Sequence, residues 1–420
     1  MRENPLLKLE HQHSPLPLDT VKTEDFLPAI DAALTQARIA IREITENPEP
    51  PDFNNTVLAL EASDEWLDRV SSVFYHLLHV DAEDDLQALA REIPPKLSAF
   101  RNDVVLNPEL FHRLDQLDRS KASLELSEEA ETVLENHVQS FRRNGASLSP
   151  ADQTELRKID QELSTCSPTF AEHVLKATQA FALWTSDADL VAALPQSARE
   201  GAKAAAKEDN RPEEWKFTLD APSLIAFMTY APNAELRKEM WQAYGSRCVE
   251  GEFSNQELIR KILDLRFRRA RLLGCKDHVE YTLERRMVGN RETLQTFYDE
   301  MLPVVMPAAR RDLETVRACK EKDTGETELH PWDYAYYAEK CKQQTFELNQ
   351  EELRPWFEFE STLKAVFSLI NRLFGLEFEK IHDLPLNHKE VRCFQIRKQE
   401  DGTEVGTLLI DPFPRKTKKP

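Results

Sequence analysis

Residues 254–274 read SNQELIRKILDLRFRRARLLG, and this stretch carries the signals that mark both ends of an α-helix. Ser254 and Glu257 have the spacing of a capping box at a helix N-terminus. Gly274 follows the last apolar residue, where many helices end in a left-handed backbone. Apolar residues between these ends recur every three or four positions, which predicts a helix with one face in a core. The stripe consists of Ile259, Ile262, Leu263, Phe267, Ala270 and Leu273.

The same helical period recurs in three other parts of the chain. The first stripe stops at Asn47-Pro48, because the residue before a proline avoids the α region. Asn55 is the predicted N-cap of the helix that carries the second stripe. The chain has 10 glycines among 420 residues, well below the usual share of about 7%, and we predict a mainly α protein. The three stripes are Leu27, Ile30, Leu34, Ala37, Ile41 and Ile44; Leu67, Val70, Phe74 and Leu77; and Leu156, Ile159, Leu163, Cys166, Phe170, Val174, Ala177 and Phe181.

Charge and composition exclude several function classes. The net charge of −20 predicts that the protein binds neither nucleic acid nor anionic membranes, because an acidic surface repels phosphate. No apolar run is long enough to span a bilayer, and the first residues, MRENPLLKLEHQHSP, lack the apolar region of a signal peptide. The six cysteines are scattered, which is typical of free thiols in a reducing compartment. We therefore expect a cytoplasmic protein.

Near residue 390 the pattern changes from helix to strand. VRCFQIRK and VGTLLI flank Asp401-Gly402, which predicts a β-hairpin at residues 391–410. One hairpin is marginally stable alone, so further strands or a helix must cover it. Upstream, residues 203–215, KAAAKEDNRPEEW, are the best candidate for a linker or domain boundary.

Common catalytic signatures do not occur in the sequence, which contains no H-E-x-x-H, G-x-S-x-G or Walker pattern. His76, His79 and Glu83 have a spacing that could place three metal ligands along one helix face, but that helix already carries a core stripe and offers no fourth ligand. His11 and His13 lie in a polar terminal segment, where adventitious metal binding or simple solvation are the alternatives.

Two further groups have both a functional and a structural interpretation. Aromatic residues Trp332, Tyr334, Tyr336 and Tyr337 could stack on a peptide ligand, or could be buried with satisfied polar tips. Basic residues Arg415, Lys416, Lys418 and Lys419 could bind an anion, or could form a solvated end.

Several stretches together resemble one family, the thimet oligopeptidase, oligopeptidase A and dipeptidyl carboxypeptidase family of zinc metallopeptidases. The matching stretches begin with NPLLKLE and PPDFNNTVLALEASDEWLDRVSSVFYHL (residues 50–77). YAPNAELRKEMWQAYGSR (residues 230–247) also matches. The most specific match lies in residues 330–378, where W-D-x-x-Y-Y-x-E-K, L-R-P-W-F and L-F-G follow in order. The resemblance extends over essentially the whole chain.

The resemblance implies a fold and a chemistry. It implies a helical two-domain ellipsoid with a deep channel, a zinc ion on the channel floor, and short peptides as substrates. We assign residues 1–200 to an N-terminal helical domain and 201–420 to the N-terminal part of an incomplete catalytic domain. The family's H-E-x-x-H motif supplies two zinc ligands and a general base, and it lies beyond the strand that resembles GTLLID.

No residue of this chain matches those positions, so the sequence predicts no catalytic residue and no zinc ligand here, and leaves substrate-binding residues unknown. We therefore expect a truncated chain that holds no zinc and is inactive alone. A separately encoded C-terminal catalytic half is one expected partner. The alternatives are a non-catalytic peptide-binding or scaffold protein, and a remnant without function.

Overall fold

The computed structural model describes residues 2–8, 18–81, 83–347, 350–382, 384, 386–413, 415 and 418. The chain forms two compact units, each assembled from separate segments. The first contains Met1–Thr169, Lys261–His278 and Val366–Lys419, and the second contains Phe170–Arg260 and Val279–Ala365. The predicted domains, residues 1–200 and 201–420, are each one continuous segment, unlike these units. The domain boundary at residue 200 stays a prediction.

Helices dominate both units, which confirms the predicted mainly α fold. The α-helices are α1 Thr23–Thr45, α2 Ala59–Ala62, α3 Glu65–Val80, α4 Asp84–Val105, α5 Pro108–Ser120, α6 Glu128–Arg143, α7 Pro150–Gln179, α8 Ala188–Ala192, α9 Gln196–Glu208, α10 Ala221–Tyr230, α11 Ala234–Gly245, α12 Gln256–Leu272, α13 His278–Leu283, α14 Arg291–Thr324, α15 Tyr334–Phe346, α16 Gln350–Leu353 and α17 Phe359–Phe374. The strands are β1 Leu183–Thr185, β2 Trp215–Phe217, β3 Leu376–Ile381, β4 Arg392–Lys398 and β5 Glu404–Ile410.

The core of the first unit lies among α1, α3, α4, α5 and α6. Phe26 of α1 meets Phe74 of α3 edge to face, with ring centroids 5.4 Å apart. Of the first predicted stripe, every member except Leu27 is fully buried, and all four members of the second are buried. The third stripe lies on α7 except for Phe181, which follows the helix; Leu156, Ile159 and Cys166 are buried, and the other members are only partly buried. Apolar side chains at helical spacing thus identified these core faces.

Asn55 has a different role from the predicted N-cap of α3. A π-helical turn, Phe53–Leu58, precedes α2, and Asp52 caps it by accepting a hydrogen bond from the Asn55 amide. The side chain of Asn55 instead accepts a hydrogen bond from Nη2 of Arg113, at 2.9 Å. Arg113 also donates to the carbonyl oxygens of Asn47 and Glu49, at 3.2 and 3.3 Å. This buried arginine therefore holds the Pro-rich loop before α2 in place.

Helix α12 agrees with one prediction from the sequence and contradicts two others. Its C-terminus is as expected: Gly274 has φ +84°, and Cys275 donates to the carbonyl of Ala270 at 2.9 Å. The capping box is wrong, because the carboxylate of Glu257 pairs with Arg260 instead of reaching back to Ser254. The predicted core face is also largely wrong. Ile259, Leu263 and Phe267 are 44%, 61% and 50% exposed, while Leu265 and Ala270 are buried.

The predicted hairpin is present and belongs to a three-stranded antiparallel sheet with the order β3-β4-β5. Gly402 lies in its turn with φ +72°. Strand β3, which the sequence interpretation missed, pairs with β4 from Leu376↔Lys398 to Ile381↔Cys393. Phe367 of α17 stacks on Phe378 with centroids 4.1 Å apart and meets Phe394 at 4.9 Å. A third strand and a helix therefore supply the cover that the hairpin requires.

The second unit has its own small core around a two-stranded sheet. Strands β1 and β2 are antiparallel, and Phe217 of β2 contacts Phe227 of α10 edge to face at 4.9 Å. The linker predicted at residues 203–215 is wrong, because α9 continues to Glu208 and β2 begins at Trp215. Ala202 and Ala206 of α9 are buried, so this segment is part of the folded unit.

Candidate functional site

The predicted ligands His76, His79 and Glu83 do not share one helix face. Helix α3 ends at Val80, and Glu83 is the N-cap residue of α4. His79 is engaged locally, with Nδ1 3.2 Å from the carbonyl oxygen of Tyr75. Within the described part of the chain, no group of three or more His, Cys, Asp and Glu side chains is placed to hold a metal ion. These histidines therefore do not fit a zinc site.

His76 has an electrostatic environment that favours its neutral form. Loss of hydration lowers the pKa of the imidazole, and the nearby charges of His79 and Arg415 lower it further against the opposing effect of Asp411. A lowered pKa leaves the ring neutral near pH 7. The ring is thus near the C-terminal segment of this unit and carries no charge for binding an anion.

The basic tail is partly neutralised within the chain. Arg415 donates to Oδ1 of Asp411 at 2.9 Å, and Lys418 donates to the carbonyl oxygen of the same residue at 2.7 Å. Burial acts to raise the pKa of Asp411, but Arg415 and Lys418 outweigh it and the pKa is lowered. Lys416 and Lys419 lie outside the described residues, as do His11 and His13. The two described cations therefore serve an internal ion pair.

The aromatic segment of the second unit is partly buried and partly exposed, and its stacking on a peptide stays a prediction. Tyr337 is 5% exposed and belongs to a core cluster with Val316 and Cys319, whereas Tyr334 is 44% exposed. The ring of Trp332 stacks on that of His330, with centroids 4.6 Å apart, and its centroid lies 5.6 Å from that of Trp241. The segment is thus half structural, with part of its aromatic surface open to solvent.

A buried ion network fixes this segment. Arg237, which is 1% exposed, donates from Nη2 to Oδ1 of Asp333 at 2.7 Å and from Nε to the carbonyl oxygen of Trp332 at 3.0 Å. Lys320 of α14 donates to the other oxygen of Asp333 at 2.9 Å. Two of the stretches that carry the resemblance, residues 230–247 and 330–378, therefore meet at Asp333. Both stretches resemble the family in sequence, but nothing in the sequence indicates that they contact each other.

The charges of this network are stabilised mutually. Burial alone would raise the pKa of Asp333, but hydrogen bonds from Lys320 and Arg237 outweigh it and hold the pKa below its ordinary value. For Lys320, burial acts to lower the pKa, yet Asp333 and Glu326 raise it overall. Asp333 and Lys320 therefore both stay ionised at neutral pH.

A cavity of about 760 Å³ opens beside this segment, within the second unit. We call it the α9–α15 cavity, because the first turn of α9 and the exposed side of α15 line it together with α10 and the turn Arg354–Phe357. Its volume is in the range of small-ligand sites, about 300–1,000 Å³. Its charged lining residues are Arg199, Glu200, Glu339, Lys340 and Arg354. Its apolar and aromatic lining residues include Leu194, Pro195, Tyr230, Tyr336 and Pro355.

Most charged groups of the α9–α15 cavity have partners inside the protein. Lys340 pairs with Asp323 at 2.7 Å. Glu339 accepts from Nε2 of Gln343 at 3.0 Å, and Glu200 accepts from Gln196 at 2.7 Å. Arg199 differs, because its buried Nε has no hydrogen-bond partner among the residues that the structure describes. That atom is closed to solvent, so it offers no open donor to a ligand.

Comparisons with known proteins agree on one family. Residues 227–420 match the profile of Peptidase family M3. The chain is 30% identical to dipeptidyl carboxypeptidase of Escherichia coli (strain K12) over 402 residues, which are 95% of this chain and 59% of that protein. It is also 30% identical to oligopeptidase A of Haemophilus influenzae over 421 residues, which are 99% of this chain and 61% of that protein. These matches support the assignment to peptidase family M3, the family that the sequence resemblance named.

These matches cover only part of each relative's length. The chain spans about three fifths of the length of the two curated relatives. Among solved structures, it is similar to a putative oligoendopeptidase F from Bacillus anthracis, with 14% identity and a TM-score of 0.44 over 73% of this chain and 48% of that one. Separately, none of the helices in the described ranges is both long and apolar enough to cross a membrane.

Proposed function

We propose that this chain is the non-catalytic part of an M3-type oligopeptidase and that it handles short peptides. The observation that supports this most strongly is the match of nearly the whole chain to oligopeptidase A and dipeptidyl carboxypeptidase. The α9–α15 cavity supports it as well, because its size and mixed aromatic and charged lining suit a short peptide.

We further propose that the 420 residues alone hold no zinc and hydrolyse no peptide. Zinc in such peptidases would activate a water molecule as the nucleophile, and H-E-x-x-H is the pattern that supplies ligands and base. No such pattern occurs in the sequence, and His76 and His79 do not fit the ion. A separately encoded segment that carries the motif is the proposed partner.

The test is hydrolysis of a quenched fluorescent peptide by the purified chain, with added zinc and with a chelator, together with measurement of bound metal. We expect no turnover and no stoichiometric zinc. Adding a segment that carries H-E-x-x-H should restore chelator-sensitive turnover. Chelator-sensitive turnover by the chain alone would contradict the proposal, and variants of His76 and His79 would then locate the metal.

A second candidate function is peptide binding without any catalytic partner, as a scaffold. The open aromatic surface and the α9–α15 cavity favour it. Calorimetric titration with short peptides separates the two candidates when combined with the reconstitution assay. Binding with no turnover after reconstitution supports the scaffold, and absence of binding removes it.

We propose a cytosolic location, supported by six cysteines that are thiols and not disulfides and by the acidic net charge of −20, which disfavours anionic membranes and nucleic acid. Fractionation of cells that express the chain with its native N-terminus tests this location. Recovery in a membrane or organelle fraction would contradict it.

A further inference from the structure

We propose that residues 291–315 of α14 pair in antiparallel orientation with the same segment of a second copy of the chain. A second copy is inferred because the segment is complementary to itself once its direction is reversed. The inference goes beyond the proposed function, since the interface involves neither a peptide nor a metal ion.

Most of α14 carries apolar side chains that the rest of the chain leaves exposed. No residue in the range 291–315 is buried, whereas Val316, Cys319 and Lys320, toward the C-terminal end of the helix, are buried. Contiguous exposed apolar surface marks interaction sites. The exposed large apolar side chains of the segment are Phe297, Tyr298, Leu302, Val304, Val305, Met306 and Leu313.

The segment needs a packing partner to keep its helical conformation. Pro303 and Pro307 lie inside the helix, and each removes a backbone hydrogen bond. Helices in proteins gain most of their stability by packing an apolar face, and here that face is open to solvent. Both prolines lie on the side of the helix opposite Val305, because two residues correspond to a rotation of about 200°. A second helix can therefore lie against Val305 without meeting either proline ring.

One stripe of the segment, which we call the α14 seam, has the spacing of a coiled coil. It consists of Tyr298, Leu302, Val305 and Ala309, and its alternation of four, three and four positions keeps side chains facing a partner helix. In an antiparallel pair with Leu302 of one copy opposite Val305 of the other, the remaining two side chains of the seam also oppose each other. The largest, Tyr298, then meets the smallest, Ala309, which suits interdigitated packing. Asp312, three positions further on, ends the seam.

Charges beside the seam select the antiparallel orientation. Asp299 and Arg310 are eleven positions apart, about three turns, so they lie on the same side of the helix. Both are exposed, and Asp299 uses one carboxylate oxygen to accept from Nε2 of Gln295 at 2.8 Å. Reversing one copy places Asp299 beside Arg310 of the other, and two-fold symmetry forms this ion pair twice. A parallel pair would instead bring like charges together.

Sedimentation velocity of the full 420-residue chain over a range of concentrations measures the dissociation constant of the dimer. D299K and R310E should each weaken the dimer about tenfold, because each replaces two ion pairs by two like-charge contacts. The double variant D299K/R310E exchanges the two charges. It should return the dissociation constant to within about threefold of that of the unchanged chain, because residues in contact are energetically coupled.

Neighbouring residues on the far side of the helix provide matched controls. Glu300 and Arg311 are exposed and lie about 100° further round the helix than Asp299 and Arg310, away from the seam. E300K and R311E make the same changes of charge as D299K and R310E, and they should dimerise like the unchanged chain. Circular dichroism checks that all the variants keep their helix content, and the double variant shows whether a weakened dimer can be rescued.

Four outcomes would overturn the inference. The first is a monomer at every concentration, and the second is a dimer that neither D299K nor R310E weakens, which would place the interface elsewhere. The third is equal weakening by D299K and E300K, which would indicate a general effect of charge. The fourth is a failure of D299K/R310E to restore the dimer, which would reject the antiparallel register. A monomeric chain that binds a segment carrying H-E-x-x-H, with D299K weakening that binding, would assign this face to the segment instead.

Discussion

Asp333 illustrates how one side chain can organise a whole segment. Its two carboxylate oxygens accept from Arg237 and Lys320, and its backbone amide donates to the carbonyl of His330 at 2.9 Å. Removing one member of a buried ion pair leaves an uncompensated charge, which typically costs about 3–5 kcal/mol.

We predict that D333N lowers the free energy of unfolding by about 3–5 kcal/mol, because the variant leaves Arg237 buried without its counter-ion and Lys320 with only the exposed Glu326. Urea unfolding followed by far-ultraviolet circular dichroism measures this. E214Q is the control, since it breaks the half-exposed pair with Arg211 at 3.3 Å and should change stability by less than about 1 kcal/mol. Equal effects of the two variants would contradict a special role for the buried network.

The pH dependence of stability follows from the same carboxylate. The pKa of Asp333 in the folded protein is below its ordinary value of 3.8. Its ionised form therefore stabilises the fold above that value, and this contribution is lost as pH falls through the folded pKa. We predict that the stability difference between the unchanged chain and D333N is constant from about pH 7 down to about pH 4 and narrows as the pH falls further. A difference that stays constant below about pH 4 as well would show that Asp333 is not the titrating group.

The structural roles of some single residues could be predicted from the sequence, and those of others could not. Gly274 was predictable because the helix-end signal lies within a few residues. Asn55 was assigned to the wrong cap because its real partner, Arg113, is 58 positions away. Arg237 and Asp333 are 96 positions apart, and Arg199 has no motif at all. Pairings of this kind depend on how helices pack, which local spacing does not encode.

Among the elements, the sheet of the first unit depends on α17. Phe367 bridges Phe378 and Phe394, so we predict that F367A lowers the free energy of unfolding by about 2 kcal/mol, less than the roughly 3–5 kcal/mol of a fully buried Phe, because Phe367 is half-buried. Hydrogen exchange should show reduced protection of the amides in β4 and β5. F374A on the same helix is the control. Phe374 is 70% exposed, and its loss should cost less than about 0.5 kcal/mol.

Apolar spacing predicted helices better than it predicted their buried faces. The stripe on α1 is buried because α3, α4 and α5 surround it. On α12 the same spacing gave exposed residues, and the helix instead contacts α7 through Arg269, whose largely buried guanidinium binds Asp160. Strand β3 was missed because LEFEKI, with its acidic residues, lacks a clear strand composition.

For the whole molecule, the exposed apolar side chains are the main determinant of behaviour in solution. Trp356 and Phe357 are 81% and 68% exposed, and Leu369 and Leu373 of α17 are 51% and 64% exposed. Exposed apolar surface of this kind promotes association, although the strong net charge opposes it.

We predict concentration-dependent association, measured by sedimentation velocity, that the double variant L369K/L373K reduces, because it replaces two exposed leucines one helical turn apart with charges. S368K is the matched control, since Ser368 is an exposed polar residue of the same helix, and it should leave association nearly unchanged. A purely monomeric chain at all concentrations would contradict the prediction.

The loop held by Arg113 also has a consequence for the order of folding events. Pro48, Pro50 and Pro51 have no amide hydrogens, so residues 47–51 cannot satisfy their own carbonyl oxygens through a regular backbone pattern. Asn55 donates to the carbonyl oxygen of Pro50, but the donors to Asn47 and Glu49 come from Arg113 of α5, 66 and 64 positions further along the chain. The loop can adopt its native conformation only after that long segment has closed, at an entropic cost that grows with the logarithm of its length. Its ordering should therefore follow helix formation and coincide with docking of α5, as a late, cooperative step.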